Sequence, residues 1–200
     1  MIFFKNYKNC FDYIHKKIKK RNNIIISGGT TIKSLLQNCN KIKNFYHNKV
    51  LLSDERLLIK KSKMRNDFFF KNLIKKNFIK QRNFIHYKQS YLCNKNLDQL
   101  NNIIKKINFQ FAILGLGVNN HIASIFENSN KITINKSYYY INNSPKKPKE
   151  RVTISIKKLN KVKKIFLIVN KKKRNKELKK MRSSEIFKLL KKNLEILIIK

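Results

Sequence analysis

Tryptophan is absent from this 200-residue chain; alanine and proline occur twice each, glycine four times, and ten acidic residues face 48 lysines and arginines. Cysteine is scarce too. Cys10, Cys39 and Cys93 are odd in number, widely spaced and free of any C-x-x-C pair. They read as thiols of a reducing cytoplasm rather than as a disulfide framework. No apolar run approaches membrane-spanning length. The opening "MIFFKNYKNC" interrupts its apolar residues with Lys5 and Lys8, leaving no signal-peptide core and no cleavage site. A cytoplasmic protein with no membrane partner is expected.

What is present is globular: 42% of residues are hydrophobic, and 200 residues suit one domain, 1–200, with a substantial core. The net charge of +38 points to a polyanion partner in the usual reading. A competing reading is compositional. Lys, Asn, Ile, Phe and Tyr are enriched and have A/T-rich codons, whereas most of the scarce residues have G/C-rich ones. The lysines are scattered along the whole chain, which is a weaker signal than one basic face. No specific nucleic-acid partner is therefore expected, although the field could steer an anionic substrate.

No long linker, strong repeat or composition break divides the chain. "YKNCFDYIHKKIKKR" carries Phe11, Ile14 and Ile18 at helical spacing. "NIIIS" ends in "GGTT", a buried strand running into a turn, and "IKSLLQNC" then has a helical pattern. The alternation continues: strand "KVLLS", helix around "NDFFFKNLIKK", strand "NFIHY", helix "LDQLNNIIKKI", strand "FQFAILG". Next come "RVTISI", "KIFLIVN", helix "KRNKELKKM" and "LEILII". Apolar strands alternating with amphipathic helices predict an α/β fold with a mostly parallel sheet flanked by helices. In such folds sites gather at the carboxyl ends of strands. "SGGTT", "SDER" and "GLGVNNH" each follow a predicted strand.

Each motif admits a plain and a functional reading. Gly28 and Gly29 with Thr30 and Thr31 form either a tight turn with a threonine cap or an anion cradle at a helix start. Asp54, Glu55 and Arg56 are either a surface ion pair or a source of oxyanion stabilisation. "GLGVNN" lacks the third glycine of a dinucleotide fingerprint, and no Gly-Lys-Ser/Thr follows it. What remains is a glycine turn delivering His121 to the start of a helix, "HIASIF". A histidine there suits a general base. Half of the four glycines and both alanines lie between Ala112 and Ala123, so small residues gather where backbone must pass close to something. No second ligand stands at metal spacing, and no metal is expected. Arg151 opens a strand after a proline-containing loop, and Lys173 follows a strand at a helix start. Either could meet phosphate or be ordinary solvated charge.

In this order the pieces resemble the 6-phosphogluconolactonase family: "GGTT" at 28–31, "DER" at 54–56, Asn66, "GLGVNNHIAS" at 115–124, "PKERVT" at 148–153 and "NKKK" at 170–173. The resemblance spans almost the whole chain. It implies a Rossmann-like parallel sheet and hydrolysis of 6-phospho-D-glucono-1,5-lactone in the oxidative pentose phosphate pathway, with neither cofactor nor metal. Carried over by residue, Gly28, Gly29, Thr30, Thr31, Arg151 and Lys173 would hold the sugar phosphate. His121 would activate water, Arg56 would stabilise the oxyanion or hold the substrate, and Asp54 would orient the site. The partner is then a small sugar-phosphate lactone; the oligomeric state stays open, with a monomer favoured. Asn119 and Asn120 stand where the family has Asp-Gly, Ile32 replaces a proline, Arg65 a serine and Asn170 a glycine. Asn120 can still adopt the left-handed backbone such a turn needs. Two alternatives are a glucosamine-6-phosphate deaminase-like enzyme on the same fold, and a basic nucleic-acid-binding protein with a vestigial site. The related deaminases typically carry Tyr in place of Arg56 and H-I-A-F in place of "HIAS".

Overall fold

The computed structural model describes residues 1–37, 45–59, 61–87, 97–127, 134–190 and 193–200. Cys39 and Cys93, and the end of the helix expected over "IKSLLQNC", lie outside them. The strands are β1 (Ile2–Phe4), β2 (Ile24–Ile26), β3 (Val50–Leu52), β4 (Asp54–Arg56), β5 (Phe84–Ile85), β6 (Phe111–Gly115), β7 (Tyr138–Ile141), β8 (Arg151–Ile154), β9 (Lys164–Asn170) and β10 (Leu194–Ile199). The helices are α1 (Tyr7–Lys17), α2 (Thr30–Gln37), α3 (Asn66–Lys75), α4 (Asp98–Lys105), α5 (Ile156–Leu159), α6 (Lys171–Lys180) and α7 (Glu185–Leu189).

Seven strands form one sheet in the order β1-β10-β9-β6-β2-β3-β5, and every neighbouring pair is parallel. The expected α/β architecture with helices on both faces is present. The strands that build its centre are apolar on both faces because both are covered. Ile24, Ile26, Leu52, Ile113 and Ile168 pack on one side with Phe11, Ile14, Leu35 and Phe70 from α1, α2 and α3. Ile25, Leu51, Leu114, Leu167 and Val169 pack on the other with Leu100, Ile104, Leu159 and Ile186 from α4, α5 and α7. The alternation of successive residues between two clusters is the period-2 geometry of a strand.

A second, antiparallel sheet of β4, β8 and β7 covers part of the latter face. Asp54–Arg56, expected only as polar residues after a strand, is itself a strand. It pairs Asp54 with Thr153, Glu55 with Val152 and Arg56 with Arg151. The Ile154 N–H donates to the Ser53 carbonyl, 2.7 Å, so the residue between β3 and β4 ties the two sheets together. Among the described residues, no helix is long and apolar enough to cross a membrane.

"HIASIF" departs from its expected helix. His121 is extended at φ −73, ψ 148, Ala123 is left-handed at φ 50, and Ile122 and Ile125 close an isolated bridge. Left-handed residues interrupt helical hydrogen bonding, so the segment forms a tight loop that turns inward.

Candidate active site

The carboxyl ends of β2, β3 and β6 lie side by side, as the register pairs Ile26 with Leu52 and with Ile113. Three loops therefore open onto one cavity of about 240 Å³, lined by Gly28 to Thr31, Asp54, Arg56, Asn66, Gly115 to Gly117, His121, Ala123 and Arg151, with Lys33, Lys146 and Arg174. Gly28, Gly29, Thr30, Thr31, Asp54, Arg56, His121 and Arg151 thus come together from four separate stretches of chain. Lys173 does not line the cavity.

The glycine turn feeds directly into α2. Gly29 has φ +86, a conformation that costs side-chain-bearing residues. Thr30 and Thr31 form the first turn of the helix, whose leading N–H groups lack intrahelical partners and carry the positive end of its dipole. Asn66 packs beneath Gly28, where an added Cβ would lie 2.1 Å from its Oδ1. Asn66 is itself fixed: its Nδ2 donates to the Asp54 carbonyl, 3.0 Å, and its N–H to Glu55 Oε1, 2.7 Å.

His121 arrives on a turn built from left-handed residues. Asn119 and Asn120 have φ 58 and 57, the conformation asparagine tolerates best after glycine. The Asn119 N–H meets Glu177 Oε1 of α6 at 3.4 Å. The His121 ring lies against Gly117, where a Cβ would stand 2.1 Å from Cε1 and 2.2 Å from Nε2. Phe126 supports the ring at a centroid distance of 4.8 Å. Nδ1 is 2.6 Å from the Val118 carbonyl. A carbonyl only accepts, so Nδ1 carries the proton and Nε2 keeps its lone pair. Burial pushes the His121 pKa down to about 4; the Val118 bond opposes that, and the charges of Lys146, Arg151 and Arg174 add to it. The imidazole is neutral at physiological pH, with one basic nitrogen.

Asp54 is buried and held by two hydroxyls: Ser53 Oγ donates to Oδ1, 3.0 Å, and Ser124 Oγ to Oδ2, 2.8 Å. Arg56 donates from Nη1 to the Met64 carbonyl, 2.7 Å, and its buried Nε has no acceptor among the described residues. From β4, the Glu55 carboxylate caps α3 by accepting from the N–H groups of Asn66 and Asp67, and it also accepts from that of Arg56. Burial raises its pKa to about 7, although those three bonds and Arg65 pull it back.

Arg151 is 4% exposed and largely engaged by the protein. Its Nε donates to the Pro148 carbonyl, Nη2 to those of Lys146 and Lys147, and Nη1 to Ser124 Oγ at 3.4 Å. It clasps the loop before β8 as well as facing the cavity. Lys173 is exposed, and its N–H is capped by Asn170 Oδ1, 3.0 Å. The next residue, Arg174, leaves the helical region at φ −134, ψ 26 and lines the cavity instead. Lys33, Lys146, Arg174 and Ser124 were not singled out from the sequence. Only arginine's relative scarcity could have pointed to Arg174. Among the described residues no group of three His, Cys, Asp or Glu could hold a metal ion.

Residues 7–188 match the family model described as glucosamine-6-phosphate isomerases/6-phosphogluconolactonase. No curated protein sequence matches. Among solved structures, the fold is similar to 6-phosphogluconolactonase from Thermotoga maritima, with TM-score 0.82 at 19% identity over 99% of this chain and 98% of that one. The Trypanosoma brucei 6-phosphogluconolactonase gives TM-score 0.81 at 14% identity, covering 100% and 96%. A monomeric glucosamine-6-phosphate deaminase gives 0.73 at 17% identity, covering 100% and 98%.

Proposed function

Since the chain belongs to the glucosamine-6-phosphate isomerase/6-phosphogluconolactonase family, we propose that it is a lactonase, hydrolysing 6-phospho-D-glucono-1,5-lactone to 6-phosphogluconate in the oxidative pentose phosphate pathway. The observation that carries this reading is the placement of a neutral His121, with Nε2 basic, in one cavity with Arg56 and the Gly28–Thr31 turn.

The substrate's phosphate sits on the turn and the first N–H groups of α2, with Lys33 of that helix beside it. Arg151 contributes charge and holds the loop that carries Lys146; Arg174 takes the place expected of Lys173. A water between Nε2 and the lactone carbonyl gives its proton to His121 as its oxygen bonds to C1. The carbonyl oxygen becomes an oxyanion, which the Arg56 guanidinium stabilises. Collapse breaks the bond from C1 to the ring oxygen, which receives the proton from His121, and the released carboxylic acid ionises. Asp54, fixed by two seryl hydroxyls, orients the site.

The reading favours the lactonase over the deaminase because Arg56 lines the cavity and an ester carbonyl needs an oxyanion stabiliser. The test is hydrolysis of freshly generated 6-phosphogluconolactone above its spontaneous rate. His121→Ala is expected to lose at least about 100-fold in kcat. Wild-type turnover in that variant would refute the base, and ammonia release from glucosamine 6-phosphate would replace the reaction.

A further inference from the structure

At the other end of the sheet lies a larger cavity of about 570 Å³, within the range of small-molecule sites. It opens where α4 ends and β6 and β9 begin, beside α5. Phe109 lines it and Gly115 lines the cavity of His121; the chain between them spans roughly 20 Å when extended. Six of its 13 lining residues are lysines: Lys105, Lys106, Lys136, Lys157, Lys158 and Lys161. Lysine is 41 of the chain's 200 residues, so the cavity holds more than twice the share that composition alone supplies. The ten acidic residues all lie in the described part of the chain, and none lines this cavity. No ion pair among the described residues engages any of the six amines.

The frame beneath these charges is fixed. Lys158 is 8% exposed, the one buried lysine among the described residues. Burying an ammonium is costly unless it is paired. Its Nζ donates to the Ile104 carbonyl, 2.9 Å, and the Ile107 carbonyl, 3.2 Å, at and just past the end of α4. It also stands 5.3 Å from the centre of the Phe109 ring. An ammonium has three N–H groups, so one has no acceptor among the described residues. Burial lowers the Lys158 pKa and the charge of Lys161 lowers it further; an anion in the cavity acts against both. Lys158 thus fastens α5 to the end of α4. Lys105, Lys106, Lys157 and Lys161 line the cavity from this frame and are exposed. Lys157 Nζ donates to Asn135 Oδ1, which leaves that amide's N–H groups for a ligand.

The chemistry selects a compact polyanion. Walls of one sign focus their field on the space they enclose. Lysine meets phosphate as a point charge, without the planar fork of arginine, and no arginine lines the cavity. Its one aromatic residue, Phe109, is 2% exposed and offers no face on which a nucleic-acid base could stack. A single phosphate brings at most about two negative charges, too few for this many amines. We propose that the cavity binds a small molecule bearing several phosphate groups, at a site separate from the one under His121. The site does not depend on the reaction at His121.

The probes are inorganic tripolyphosphate, orthophosphate and a single-stranded oligonucleotide of about ten nucleotides. Each is titrated by calorimetry at about 150 mM salt, where diffuse attraction is screened. Tripolyphosphate is expected to bind as a single ion per chain, at least about 10-fold more tightly than either of the others. Lys105→Gln, Lys157→Gln and Lys161→Gln combined are expected to weaken it at least about 10-fold, with circular dichroism unchanged. In the unaltered chain, tripolyphosphate is expected to protect Lys105, Lys157 and Lys161 from acetylation, read by mass spectrometry, while the exposed Lys8 and Lys16 of α1 react as before. Tripolyphosphate that does not bind, binding that survives the triple substitution, or protection absent from those lysines overturns the proposal. So does equal affinity for orthophosphate, which needs no polyanion site. Tighter binding of the oligonucleotide, lost in the same variant, assigns the cavity to nucleic acid and overturns the small-molecule ligand.

Discussion

Replacing Gly117 by alanine tests the geometry of the base with a single methyl group. Gly117 sits at φ −93, ψ 172, which any residue adopts, so the backbone carries no penalty. The added Cβ would lie 2.1 Å from His121 Cε1, 2.2 Å from Nε2 and 2.5 Å from Nδ1. Carbon contacts need roughly 3.5 Å, so the ring must retreat by more than about 1 Å. It has nowhere to go without breaking the 2.6 Å bond to Val118 or pressing on Phe126. Displacement of that size costs about 100-fold in rate. The overpacking costs about 1–3 kcal/mol, a few degrees of Tm for each kcal/mol in a chain of this size. Lactone hydrolysis and thermal unfolding of Gly117→Ala are the two readouts. The control is Gly117→Ala in a His121→Ala background, where the three atoms nearest the methyl are gone and the stability loss should shrink. Full activity in the single variant, or an equal loss in both backgrounds, would refute the argument.

The acid limb of kcat/KM should report His121 near pH 4. Activity is retained above that value and lost as pH falls through it, apart from the substrate phosphate's own titration near 6. Arg174→Gln should move the limb upward, because its charge is one of those holding the His121 pKa down, and an unmoved limb contradicts the placement of that charge. Glu55 titrates near 7 in the folded chain against 4.5 for an ordinary carboxyl. Its folded form holds the proton to higher pH, so its contribution to stability is full below about 4.5 and falls by roughly 3 kcal/mol as pH rises to about 7. Urea midpoints against pH should flatten in Glu55→Gln over that window, and an unchanged slope assigns the effect elsewhere. Arg151→Lys should lower stability by roughly 2–4 kcal/mol, because an amine cannot reach the Pro148, Lys146 and Lys147 carbonyls together. It should also raise KM; unchanged denaturant midpoints would show that the clasp does not hold the loop.

The legible parts of this site are those whose signal is local. Ile24–Ile26 followed by Gly28 and Gly29 is a strand running into a turn, and a short stretch suffices to see it. His121 stood out because small residues are rare here and cluster around it. Asp54–Arg56 misled because its partner, Arg151–Ile154, lies about a hundred residues away, and pairing at that distance leaves no trace in local polarity. "HIASIF" has helical spacing, but Asn119, Asn120 and Ala123 adopt left-handed backbone, which spacing cannot reveal. Whether Lys173 or Arg174 reaches the cavity depends on one residue's departure from helical geometry. Lys146 is one lysine among many, and only its loop's attachment to Arg151 gives it a place.

The ladder between the two short strands has a consequence for the resting protein. Arg56 and Arg151 are direct cross-strand partners, and like charges placed opposite each other oppose pairing. Asp54 offsets that repulsion at Arg151, and an anion bound in the same cavity would offset it further. A ligand that binds only the folded chain raises its resistance to unfolding with the logarithm of its concentration. If the proposed sugar phosphate is such a ligand, its supply would lower the fraction of chains open to proteases and lengthen the life of each copy.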